Sequence, residues 1–464
     1  MTDPCLLPAT ALAALYRSGA LSPVEALAAL EARIARLNPV LNALVARAPE
    51  AAEAARASEA RWRACTPLSA LDGVPFSVKD NITMAGLPCA WGSPLYAGFV
   101  PTVDELPVAR LRAAGLVPLG KTNVPEFTLQ GYTDNTVYGA TRNPWNTALT
   151  PGGSSGGAVA AVAAGLGPLA LGTDGGGSIR RPASHAGLVG LKPTPGRIPR
   201  CDGLPAILLD CEQIGPIART SADLTALLHL LAPADARDPA SLGLPAFAPP
   251  ATPPRLRIRW VPRYGSNPVD PEIAANCAAA AKALAALDHQ VEEAPPPFDQ
   301  DEVNAIFGTI GQSGLAWLLG TLPDNPSPTA EPLRQMAAAG RALTGAQVFG
   351  ALDALAAYRR RMAEFFVTTD LIMTPAAAAL PWPATESHPP VIDGQPAGLR
   401  GHAVFTAFAN LAGCPGIALP CAPSAGGLPI GFQLVGPRGA DALLCAMAAE
   451  WEAAHPWAQR WPAL

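Results

Sequence analysis

The chain has 464 residues, of which 49% are apolar and only 15% charged, and its formal net charge is −5. That much apolar material supplies a large buried core and excludes intrinsic disorder, and its 43 glycines and 52 prolines follow no collagen-like period. The acidic balance argues against nucleic-acid partners, because polyanion affinity needs clustered Lys and Arg to displace counterions.

Taken from the N-terminus, residues 9–63 read as helices. Pro8-Ala-Thr10 opens the first, with an apolar pattern from Ala9 to Tyr16. Ser22-Pro23-Val24-Glu25 opens the second with a capping serine, a proline in the first turn and a glutamate at the third position. Residues 46–63, rich in Ala, Glu and Arg, predict a third. From Pro67 the texture changes to short apolar runs at 74–78, 116–119, 169–171 and 187–191, with helical segments at 106–114 and 157–164 between some of them. Brief buried strands alternating with helices mark a layered α/β sheet. Residues 242–254 hold several prolines and no charge, which predicts a linker or surface crossing. A strand at 256–261, a helix at 271–287 and a strand at 290–294 resume the pattern. Residues 301–365 read as largely helical. Strands at 371–373, 416–419 and 430–434 lead to a closing helix at 440–452.

Nine cysteines are scattered with no C-x-x-C pair and no His at zinc-finger spacing, which argues against a structural metal or a redox motif. Their odd number, with no leader peptide recognised, fits a reducing compartment, so a cytoplasmic protein is expected. The longest apolar run, 158–172, is interrupted by Gly165, Gly167 and Pro168 and falls short of the roughly 20 residues a membrane span needs. No membrane partner is expected.

The densest chemical signal is Pro151-Gly-Gly-Ser-Ser-Gly-Gly157 followed by Gly172-Thr-Asp-Gly-Gly-Gly-Ser-Ile-Arg180. Glycine-dense loops are costly in backbone entropy, and each of these carries a hydroxyl at its apex. Gly152-Gly-Ser-Ser-Gly156 fits the G-x-S-x-G elbow, but that elbow follows a strand and residues 143–151 read as a turn-rich loop. Gly165-Leu-Gly-Pro-Leu-Ala170 fits a loose dinucleotide pattern only by ending a helix, and no P-loop occurs. Of the six histidines, His185 lies nearest the second loop, although its segment reads as a helix leading away. Lysine is the next choice of base, and Lys79 ends the buried-looking run from Val74.

Gly73-Val-Pro-Phe-Ser-Val-Lys-Asp-Asn81, Gly120-Lys-Thr-Asn123, Asn143-Pro-Trp-Asn146, the two glycine loops and Gly190-Leu-Lys-Pro-Thr194 occur in order and close together. The sequence resembles the amidase signature family of serine hydrolases from about Ser22 to the segment ending at Gly436, least so across 295–365. The resemblance implies an α/β fold class, a mixed central β-sheet sandwiched by helices, in one domain. Within it lie a helical arm (1–65), a signature core (66–232), a linker (233–255) and a C-terminal α/β part (256–464).

The resemblance further implies a Ser–cis-Ser–Lys triad: Ser178 as nucleophile, Ser154 as bridging serine on a cis peptide, and Lys79 as base. Holding that lysine neutral takes roughly 3–5 kcal/mol of desolvation and preorganised hydrogen bonds. Oxyanion donors are expected at Gly175, Gly176, Gly177 and Ser178. Thr173, Asp174 and Arg180 would brace the loop, Ser155 would steady Ser154, Asp80 and Asn81 would hold the lysine strand, and Lys121 is expected to be structural. No cofactor and no metal are implied.

The leading functional expectation is hydrolysis of a non-peptide carboxylic amide, with aryl esters and carbamates (urethanes) as further substrates. The alternative is the glutaminase-like component of a tRNA-dependent amidotransferase complex. Against it, Gly175 stands where that group carries a threonine, and the loop Gln130-Gly-Tyr-Thr-Asp-Asn135 departs from that group's usual one. A catalytically dead binder conflicts with retention of all three triad residues. The substrate pocket is expected to draw on Phe127, Thr128, Leu129, Gln130, Ile306, Phe307, Leu315, Trp317 and Trp382. It would therefore favour an apolar or aromatic small molecule, with no arginine evident beyond Arg334. A monomer or homodimer is expected.

Overall fold

The computed structural model of the chain describes residues 3–324 and 326–464. Its strands are β1 (Leu44–Arg47), β2 (Pro75–Lys79), β3 (Val117–Thr122), β4 (Leu169–Asp174), β5 (Val189–Lys192), β6 (Gln213–Ala218), β7 (Arg257–Trp260), β8 (Gln290–Glu293), β9 (Leu371–Pro375), β10 (Val391–Ile392), β11 (Gln395–Pro396), β12 (Gly416–Pro420) and β13 (Gly431–Val435). All but the β10–β11 hairpin join one 11-stranded sheet in the order β1-β3-β2-β4-β6-β5-β12-β13-β9-β7-β8. Pairing is parallel around β2 and again around β7, and antiparallel from β4 across to β9, so the sheet is mixed.

Helices flank this sheet: α1 (Ala9–Ser18), α2 (Pro23–Leu41), α3 (Ala51–Arg63), α4 (Leu106–Ala113), α5 (Gly156–Ala163), α6 (Arg180–Ala186), α7 (Ser221–Leu231), α8 (Pro271–Ala286), α9 (Gln300–Gly320), α10 (Glu331–Ala342), α11 (Gly345–Phe365), α12 (Ala407–Leu411) and α13 (Asp441–Ala454). Every residue of β2, β3, β4, β5, β6, β9, β12 and β13 is buried, whereas β8 at the far edge is mostly exposed. Strands covered on both faces carry continuous apolar runs instead of alternation, which is the texture the sequence shows. The capping box at Ser22 forms as expected, with Glu25 reaching back to the cap N–H.

Several stretches depart from the sequence reading, two of them strands of the main sheet. The predicted third helix starts later, at Ala51, because residues 44–47 form β1, pairing antiparallel with the edge of β3. Pro49 explains the break: it disfavours helical geometry in the residue before it. Strand β6, unpredicted, is Gln213-Ile-Gly-Pro-Ile-Ala218, where Gly215 and Pro216 hide the strand pattern. It lies between β4 and β5 at the centre of the sheet. Among the described residues, no helix is long and apolar enough to cross a membrane.

Candidate active site

Lys79 is the last residue of β2. The parallel register of β2 on β4, Val78 opposite Leu171, carries it to the level of Thr173. Its Nζ is fully buried, 2.7 Å from Ser154 Oγ, and donates to Thr173 Oγ1 at 2.8 Å and the Thr173 carbonyl at 3.1 Å. It forms no ion pair with any carboxylate among the described residues. Burial therefore dominates and brings the Lys79 pKa down to about 7, against the opposing pull of Glu212 and Asp174 and with help from the positive charge of Arg181. Asn81 Nδ2 also reaches Thr173 Oγ1, at 3.2 Å, and Lys121 is spent on the carbonyls of Asp80 and Ile82.

The loop before α5 supplies the second group. The Gly153–Ser154 peptide is cis. Ser155 ties the two glycine loops together: its N–H donates to the Ser178 carbonyl at 3.1 Å and its hydroxyl to the Thr173 carbonyl at 3.2 Å. Ser178 is only 7% exposed, and its hydroxyl makes no hydrogen bond to another group among the described residues.

The loop from β4 to α6 is built around one carboxylate. Asp174 accepts from Gly177 N–H at 2.6 Å, Ile179 N–H at 3.2 Å, Arg180 Nε at 2.9 Å and Nη2 at 3.0 Å, and Asn410 Nδ2 at 3.0 Å. Burial alone raises a carboxyl's pKa, but Arg180 and these donors overcome it and hold Asp174 far below the usual carboxylate range. The Gly177 N–H is thus committed to Asp174, which corrects its expected place among the oxyanion donors. The N–H groups of Gly175, Gly176 and Ser178 have no acceptor among the described residues. Gly177 has φ of +110°, and a Cβ there would collide with Thr406 and Arg181, so only glycine fits.

Beside these loops opens a cavity of about 450 Å³. Three of the expected lining residues are there: Leu129, Gln130 and Phe307. The others are not. Phe127 is fully buried edge-on to Trp91 (5.5 Å between centroids), and Thr128 hydrogen-bonds that indole. Ile306 and Leu315 face the core from α9, while Trp317, on the outer side of the same helix, is 54% exposed. Trp382 is buried behind the cavity, 4.7 Å between ring centroids from His402. Large aromatics suit a core as well as a pocket, so the sequence alone does not separate the two.

The sequence reading also misses Arg181, Arg400 and His402, which line the cavity. Arg400 and His402 lie more than 200 residues beyond the glycine loops, in a segment without a motif. Arg334, the one arginine expected nearby, is paired with Glu331 at the surface. His185 is buried in α6 with Nε2 3.0 Å from the Ala379 carbonyl, and burial holds its pKa down to about 4.

The Amidase family model matches residues 25–445, and the chain belongs to this family: it is an amidase, a hydrolase of the amide C–N bond. The acylamidase of Rhodococcus erythropolis is 37% identical over 98% of this chain and 97% of its own. A glutamyl-tRNA(Gln) amidotransferase subunit of Chromohalobacter salexigens is 33% identical over 98% of each. Among solved structures, a bacterial aryl acylamidase belonging to the amidase signature enzymes matches with a TM-score of 0.89 at 29% identity, over 98% of this chain and 97% of that one.

Proposed function

We propose that this chain cleaves a linear, non-peptide carboxylic amide through an acyl-enzyme on Ser178, with Ser154 as proton relay and Lys79 as base. Ser178 Oγ attacks the carbonyl carbon and passes its proton to Ser154, which hands its own to Lys79. The oxyanion draws on the free N–H groups of Gly175, Gly176 and Ser178; one such donor is typically worth about 3–4 kcal/mol. The chain then reverses, the C–N bond breaks, the amine leaves protonated, and water releases the acid by the same relay.

The observation that carries this reading is Lys79: a buried amine brought to a pKa of about 7 and set 2.7 Å from Ser154 Oγ. A general base works best with its pKa near the operating pH, and burial supplies that here without a histidine. The apolar wall of the cavity, with Leu129, Phe307, Leu333 and Met336, supports an amide with an apolar or aromatic body. Aryl esters and carbamates enter by the same acyl-enzyme route.

The likeness to the amidotransferase component favours a second reading, glutamine hydrolysis inside a complex. Purified alone, the chain is expected to hydrolyse an acyl anilide and leave glutamine intact. Glutamine turnover that appears only with partner subunits, and no anilide turnover, overturns the first reading in favour of the second.

A further inference from the structure

The cavity holds more polar capacity than its walls use. Arg181 donates Nη1 to the Gly176 carbonyl and to Thr406 Oγ1, and Nη2 to the Gly153 carbonyl at 3.4 Å, which accounts for its bracing of both glycine loops. Bracing leaves Nε over: it is buried and has no partner among the described residues. The same holds for both side-chain amide atoms of Gln130 and both ring nitrogens of His402. Buried polar atoms without partners are rare in native proteins, and these three residues line one cavity.

The charge is also one-sided. Arg400 stacks its guanidinium over Phe307, 4.8 Å from the ring centroid, and its Nη2 lies 3.5 Å from where a Cβ on Gly176 would sit. It has no ion pair, Arg181 has none, and no aspartate or glutamate lines the cavity among the described residues. The two cations feel each other: burial first, then the charge of Arg400, bring the Arg181 pKa down to about 9. Arg181 is a buried guanidinium without a counter-charge, which is costly, whereas Arg400 stands exposed at the rim of the cavity; a planar carboxylate is the group whose geometry matches the fork of either.

We propose that this cavity is a carboxylate-recognising subsite in which Arg400, with Arg181 Nε, Gln130 and His402, selects amides whose apolar body ends in a carboxylate. The proposal rests on the amidase reading above and names the substrate class for that site. Apolar contacts from Leu129, Leu333 and Met336 take the body of the substrate, and the arginines, beside the Gly176 turn, take its carboxylate.

The test is calorimetric titration of the Ser178→Ala chain with glutaric acid monoanilide and with its methyl ester, a neutral molecule of similar length. The acid is expected to bind about tenfold tighter than the ester or better, a preference that falls as salt is added. Arg400→Met in the same background should bring the ratio of the two dissociation constants to about one, and Arg400→Lys should restore part of it. A ratio near one in the parent, or a preference that survives Arg400→Met, overturns the proposal. The two readings fail separately. Anilide hydrolysis with an acyl adduct on Ser178 but no carboxylate preference removes the subsite and keeps the amidase chemistry. A carboxylate preference in binding with no adduct on Ser178 keeps the subsite and removes the acyl-enzyme.

Discussion

Arg180 and Arg181 are consecutive, both buried at the start of α6, yet one guanidinium is saturated and the other is not. Arg180 meets Asp174 through Nε and Nη2, and adds Gln433 at 2.8 Å and Asn410 at 2.6 Å. Arg181 meets only carbonyls and a hydroxyl and keeps a bare Nε. The first is scaffold: a neutralised pair that fixes the β4–α6 loop and, by taking Gly177 N–H, decides which loop donors remain free. The second leaves charge and hydrogen-bonding capacity facing the cavity. Lys79 extends the contrast, since it too is buried without a carboxylate contact, and its pKa moves where that of a paired cation would be held up.

The comparison breaks most visibly at the nucleophile. Ser178→Ala should lower kcat for an acyl anilide by about 10⁶-fold and abolish labelling by a fluorophosphonate, while Arg180 and its partners keep the fold intact. Lys79→Met should cost about 10²–10⁴-fold, with amide cleavage falling further than ester cleavage because an alkoxide needs less protonation to leave. Equal losses on the two substrates would deny Lys79 the role of proton donor.

The same variant sharpens the point through stability. Between about 7 and its ordinary value of 10.5, Lys79 holds its proton in the unfolded chain but not in the folded one, so stability rises with pH across that window. Lys79→Met should therefore raise the denaturation midpoint near pH 7, with the gain shrinking toward pH 10.5. Asp174→Asn tests the saturated arginine. It strands a buried Arg180 and should cost about 3–5 kcal/mol in denaturant unfolding. The smallest effect is Thr173→Val, which removes one hydroxyl from Lys79 and should lower kcat/KM about tenfold while retaining the pH profile.

The parts of this site that are local in sequence are legible there. Glycine pairs around Ser154-Ser155 and the three glycines before Ser178 announce loops that need close approach, and Lys79 stands out as a charge at the end of a run of buried residues. Asp174 and Arg180 sit six residues apart and do meet. What the sequence hides is what depends on distant segments. Arg400 and His402 reach the cavity because residues 399–403 pack beside α6 and α9, and no periodicity announces that. Arg181 sits inside the recognised motif, but its unpaired nitrogen exists only in three dimensions. Strands β1 and β6 escape a sequence reading for a local reason: Ala-Arg composition mimics a helix in one, and Gly-Pro interrupts the other.

The proposed mechanism has a buried, deprotonated Lys79 activating Ser178. It is tested most directly by the rate of fluorophosphonate labelling as a function of pH, with the adduct mapped by peptide mass. A single adduct on Ser178 is expected, with a rate that rises about tenfold per pH unit below pH 7, levels off above it, and loses that inflection in Lys79→Met. An adduct on another residue, or an inflection that persists without Lys79, contradicts it.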